Sequence, residues 1–122
     1  MNVKKLKIDK YERIMVTNFP RKYDLEIRSV EEKPEVIIYF IDKLSDVNDM
    51  ILLIKDCILP KDNRVIFVYE KRRKDGVNRD TIYSYFKKEL QSEYKLRAPM
   101  LCSLSKELSA FVQSYEVVKN NC

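Results

Sequence analysis

Apolar positions along the chain fall into runs of two kinds, and each kind predicts a different element. Two runs are unbroken, "VIIYFI" within 35–42 and "VIFVY" within 64–70. Continuous β-branched and aromatic residues predict strands buried on both faces, as in the centre of a sheet covered by helices on each side. Two other runs recur at helical spacing. Between 45 and 59, Val47, Met50, Ile51, Ile54, Cys57 and Ile58 line one face, with Leu44 just ahead. Between 79 and 94, Ile82, Phe86 and Leu90 form a stripe, with Tyr83 and Tyr94 beside it. These predict two amphipathic helices. Ser45 is the expected N-cap of the first, Asp46 and Asp49 suit its positive pole, and Pro60 enforces its stop.

The remaining β-rich stretches are shorter. Residues 12–19 predict a strand that Pro20 ends, and 24–31 a partly exposed one carrying Leu25, Ile27 and, after a slip, Val30. Residues 99–105 and 108–118, separated by Lys106-Glu107, predict an antiparallel hairpin. The order is then β, β, β-α-β-α, β-β, without repeat, low-complexity tract or linker. Buried strands alternating with helices imply parallel pairing through crossovers. The expected fold is α/β: a small Rossmann-like three-layer domain spanning 1–122, mostly parallel, with a C-terminal antiparallel hairpin. The hairpin leaves an edge strand through which a homodimer can be imagined.

Composition sharpens this picture chiefly by exclusion. The 122 residues are 45% hydrophobic and 35% charged, which describes a folded globular domain. No histidine is present, which removes Ser-His-Asp, Cys-His and His-Glu-x-x-His chemistry. Cys57, Cys102 and Cys122 form no C-x-x-C pair, so no zinc knuckle or dithiol is expected. Cys57 and Cys102 read as buried thiols and Cys122 as exposed. No apolar run approaches the length a bilayer needs, and the N-terminus lacks the apolar core of a signal peptide, so a cytoplasmic protein without a membrane partner is expected.

The chain has one glycine, Gly76. Dinucleotide, Walker and methyl-donor sites each want glycines near a strand end so that backbone can approach the cofactor. Here "NFPRKYD" follows the first predicted strand, so no cofactor is expected. Two basic stretches offer anions something: Lys4, Lys5, Lys7 and Lys10 near the start, and Lys71 to Lys74 in "EKRRKDGVNRD". The second leaves the carboxyl end of a central strand, the edge where open α/β sheets bind ligands. Asn78 or Asp80 can cap the following helix, and Lys71, Arg72, Arg73 and Arg79 add charge near its positive pole. Glu70, Asp75 and Asp80 neutralise part of that charge, and Asp75-Gly76 is ordinary turn chemistry. Asp42 lies at the same sheet edge but reads equally well as steadying the next helix.

Taken together, these segments resemble a small bacterial Rossmann-like family of unknown function, whose members look like degenerate class I methyltransferases. The similar stretches are the opening lysine-rich turn and strand ending in Asn18-Phe19-Pro20, the strand–helix–strand ending in Tyr69-Glu70-Lys71, Asn78-Arg79-Asp80 before an aromatic residue, and Ser109-Ala110. Departures are Glu70 for a proline, Leu108 for a tryptophan, Gln113 near a usual arginine, and a shorter 71–78 loop. The resemblance implies the fold and brings no reaction. Its matching positions give Asn18, Lys71, Asn78, Arg79, Asp80 and Ser109 as ligand-binding candidates, expected to converge on one cleft. No catalytic or metal-binding residue is expected. The leading functional expectation is a non-catalytic module that binds a small anionic ligand or a protein partner at the sheet's carboxyl edge. The alternatives are weak nucleic-acid binding through the basic stretches and a residual methyltransferase-like enzyme.

Overall fold

The computed structural model describes residues 3–117, the side chains of Ala98 and Val117 excepted. Five strands form one sheet in the order β1-β2-β3-β5-β4. The strands are β1 (Ile14–Thr17), β2 (Val36–Phe40), β3 (Arg64–Glu70), β4 (Tyr94–Ser103) and β5 (Leu108–Val117). The first three run parallel, with Ile14 opposite Val36 and Ile37 opposite Val65. β5 is antiparallel to both of its neighbours, with Phe67 opposite Phe111 and Met100 opposite Val112. The α/β frame with its closing hairpin is thus the one expected.

The two unbroken apolar runs occupy the middle of the sheet, and alternation divides their side chains between two faces. Ile37, Tyr39, Val65, Phe67 and Tyr69 meet helices α1 (Leu44–Asp56) and α2 (Arg79–Leu90). Val36, Ile38, Phe40, Ile66 and Val68 meet Leu6, Ile8, Tyr11, Leu25 and Leu104. Both helices therefore lie on one face, and the third layer is irregular chain with one short 3-10 turn, Val3–Leu6. An unbroken apolar run reports burial on both faces, not what supplies the cover, and this corrects the expectation of helices on each side.

The predicted strand at 24–31 is absent. Glu26 has φ 56°, which breaks the extended backbone, while Leu25 and Ile27 pack onto the sheet. Only its end touches the free edge of β1: Val30 N–H donates to the Ile14 carbonyl at 2.9 Å, and the Ser29 hydroxyl accepts from Val16 N–H at 2.8 Å. One amide and one hydroxyl thus cover an edge that would otherwise stand open.

Boundaries also shift for local reasons. α1 is capped at Lys43, not Ser45, because the Asp46 carboxylate turns back to accept from the Asp42 and Lys43 N–H groups at 2.9 and 3.1 Å. The helix ends at Asp56 and Cys57 is already extended, so Ile58 leaves the apolar stripe it was assigned to. α2 ends at Leu90, and Tyr94 opens β4 instead of prolonging the helix. Pro99 falls where the β4–β5 register shifts between Arg97 and Met100, an irregularity on an edge strand that tolerates a missing donor. Cys57 and Cys102 are free and half-buried rather than fully buried, and burial raises both thiols above their ordinary value. Cys122 lies outside the described residues. Among the described residues no helix is long and apolar enough to cross a membrane.

Candidate ligand cleft at the carboxyl edge

The carboxyl ends of β1, β2 and β3 frame an open cleft of about 510 Å³. β1 stops because Asn18 takes φ 66°, a left-handed conformation that asparagine tolerates better than most residues. Its Nδ2 then donates to the Phe40 carbonyl at 2.8 Å and fastens the turn to the end of β2. The Phe19 and Tyr23 rings lie 5.3 and 5.6 Å from Phe40, tilted against it, and make an aromatic wall. At the far side the Tyr23 hydroxyl donates to Glu70 at 2.9 Å. Burial, and then this bond, raises the Tyr23 phenol above its ordinary value.

Charge around the cleft is mixed, and much of it is engaged. Arg73 reaches back from the loop after β3 to Asp42 at 3.1 Å and Glu70 at 3.7 Å, and also pairs with Asp75. Its bond to Arg73 holds the Asp75 carboxyl below the usual range. Lys22 stands 3.7 Å from Glu70, and Lys43 completes the rim. The N-terminal pole of α1, which would otherwise favour an anion, is filled by the buried carboxylate of Asp46.

The six residues singled out from the sequence fall in three places. Asn18 alone belongs to the cleft. Lys71 is tied to the β4–β5 turn, donating from Nζ to the Ser103 hydroxyl at 2.5 Å and the Ser105 carbonyl at 2.7 Å. Asn78 caps α2, accepting from Thr81 N–H at 3.0 Å, and Arg79 pairs with its neighbour Asp80 at 2.9 Å. Ser109 sits opposite Tyr69 on the helical side of the sheet. Burial raises the Tyr69 phenol, while the Ser109 hydroxyl and Arg79 oppose that shift and Asp80 adds to it. Of the six, only Asn18 lines the cleft, so the single converging cleft does not form.

The cleft residues that sequence reasoning did not single out as a site are Phe19, Lys22, Phe40 and Lys43, together with Asp42, Asp46 and Glu70, which it gave other roles. One signal was available: Asp42 and Glu70 each follow closely on an unbroken apolar run, and so mark the carboxyl ends of two central strands. In the turn after β1 the Asn18 side chain is closed onto the Phe40 carbonyl and the Phe19 ring packs on Phe40, so side chains line this turn. Among the described residues no group of three or more carboxylates and cysteines is arranged to hold a metal ion.

No protein-family model matches the sequence, and a search of curated proteins finds no match. Similar solved structures include fibrillarin in complex with Nop5p, with TM-score 0.44 and 15% identity over 67% of this chain and 40% of that one. They also include a fibrillarin pre-rRNA processing protein of Methanococcus jannaschii, with TM-score 0.42 and 22% identity over 70% and 38% of the two chains. The alignments thus span less than half of either fibrillarin chain, and no residue role follows from them.

Proposed function

We propose that this chain is a non-catalytic binding module that takes a small polar ligand in the cleft at the carboxyl edge of its sheet. The observation that carries this reading is the composition of the rim around one aromatic wall. Lys22 and Lys43 stand there with Asp42 and Glu70, beside Phe19 and Phe40. A ligand with both an anionic group and hydrogen-bond donors fits such a rim, the acid toward the lysines and the donors toward the carboxylates. A purely anionic ligand fits less well. Arg73 is already shared among three carboxylates, and Asp46 occupies the α1 pole. The lack of any histidine and the internal engagement of the cleft's charges support binding over catalysis.

The test is a thermal-shift and amide-NMR titration of the whole chain with zwitterionic amino acids, phosphorylated metabolites, nucleotides and inorganic phosphate. Zwitterions or amino-bearing acids are expected to move the resonances of residues 18–22 and 42–43, and Glu70→Gln together with Lys43→Ala to abolish the effect. Saturation by inorganic phosphate alone, or no movement at millimolar ligand, would overturn the reading.

A further inference from the structure

At the amino-terminal end of the same sheet lies a second groove, of about 760 Å³, with a different character. Because α1 ends at Asp56 and Cys57 is extended, the next residue is carried outward, and Ile58 is 93% exposed. Leu53 and Leu59 are half-buried beside it, Met15 lies at the base, and Pro60 closes one side. None of this exposure serves the core, and contiguous apolar surface rimmed by polar groups marks an interaction site.

The rim says what kind of partner fits. It carries Glu31, Glu32, Glu35 and Asp56 against Arg13 and Lys33. Glu35 is engaged, accepting from the N–H groups of Glu12 and Arg13, each at 2.9 Å. Arg13 is engaged as well, its guanidinium donating to the carbonyls of Lys33 and Glu32. Glu31, Glu32 and Asp56 form no ion pair among the described residues. In a chain of net charge +5, a rim of four carboxylates against Arg13 and Lys33 is locally acidic and runs against the overall charge.

We propose that this groove docks a basic amphipathic segment of a partner protein. Apolar side chains of the segment cover Ile58, Leu53 and Leu59, and its lysines or arginines meet Glu31, Glu32 and Asp56. The site is at the other end of the sheet from the ligand cleft and does not depend on it.

The test uses the whole chain and two short labelled helical peptides. One is built of leucine and lysine, and the other has glutamate at every lysine position. Fluorescence anisotropy should show the lysine peptide binding at least roughly tenfold more tightly, with affinity falling as salt rises. Ile58→Asp, a change at an exposed side chain, should weaken binding by roughly tenfold and leave the melting temperature unchanged. Glu31→Lys with Glu32→Lys should do the same. Equal binding of the two peptides, binding that Ile58→Asp leaves intact, or no binding of either would overturn the proposal. So would a dimer, seen by light scattering, that Ile58→Asp dissociates, since the groove would then belong to a second copy.

Discussion

Replacing Asn63 by alanine should destabilise the fold by about 3 kcal/mol. Asn63 is 2% exposed at the entry to β3, and its side chain makes three bonds. Nδ2 donates to the carbonyls of Pro60 at 2.8 Å and Tyr115 at 2.9 Å, and Oδ1 accepts from Tyr115 N–H at 2.9 Å. The β3–β5 pairing reaches Val65 and Gln113, so Tyr115 lies two residues past its end, opposite Asn63 in the continued register, and the Asn63 side chain takes up its backbone groups. Alanine removes all three bonds. The Pro60 carbonyl is near solvent and regains water, but Tyr115 is buried and both of its backbone groups are left unpaired. At about 1 kcal/mol per net bond, plus the penalty for stranding buried groups, the loss is about 3 kcal/mol. Domains of this size are stable by roughly 5–15 kcal/mol, so a urea titration resolves that loss readily. Asn63→Asp keeps the acceptor and forfeits both donors, so it should lose a similar amount at neutral pH and recover part of it in acid, where a protonated carboxyl donates again. A loss below about 1 kcal/mol in Asn63→Ala would refute the reasoning, because it would mean that water replaces the side chain at no cost.

Asp46→Ala should cost about 1–2 kcal/mol by uncovering the first turn of α1. It should also make the melting temperature rise with inorganic phosphate, with no such rise expected in the native chain, because the N–H groups of Asp42 and Lys43 become free. Tyr115→Phe reports on alkaline unfolding. Burial pushes the Tyr115 phenol well above its ordinary value, so the folded state keeps a proton that the unfolded state releases. Stability is therefore unaffected below the unfolded pKa of about 10 and falls as pH rises past it, by up to about 1.4 kcal/mol per pH unit. The phenylalanine variant should show a shallower fall above that pH than the native chain. An identical slope in parallel denaturation series would show that Tyr115 ionises freely in the fold.

How much of the fold was legible depended on what each pattern physically measures. An unbroken apolar run measures burial on two faces, so β2 and β3 could be read from "VIIYFI" and "VIFVY" almost to the residue. It does not name the covering layer, and irregular chain bearing Leu6, Tyr11 and Leu25 buries one face as effectively as a helix would. Residues 24–31 misled for the same reason. Alternating Leu25 and Ile27 recorded a side-chain direction, but with the backbone turned at Glu26 only Ser29 and Val30 reach β1. At α1, the competition between Ser45 and the Asp46 carboxylate for the cap is decided by geometry that residue type alone does not fix. The same holds at Cys57, where the helix stops short of Pro60.

The candidate sites were less legible because a charge in the sequence is available to a ligand only where the fold leaves it unengaged. In "EKRRKDGVNRD" the basic residues suggested an anion, yet Lys71 is bound to Ser103 and Ser105, Arg73 to Asp42 and Asp75, and Arg79 to Asp80. Each partner came from a strand end, a turn or an adjacent residue that composition could not weigh. The converse holds at the other end of the sheet. Glu31, Glu32 and Asp56 looked like ordinary surface carboxylates, and become a feature only when the end of α1 sets Ile58 beside them. The two ends thus differ in a way that affects what can bind. At the carboxyl edge opposite charges hold one another in place around an aromatic wall, which suits a small ligand that can exchange into those pairs. At the amino edge four carboxylates outnumber Arg13 and Lys33 around an apolar floor, which suits a basic chain segment that brings its own cations. Substitutions at each end therefore separate the two activities. Ile58→Asp should weaken peptide binding roughly tenfold and leave the ligand cleft untouched. Glu70→Gln with Lys43→Ala should abolish ligand binding and leave peptide binding untouched.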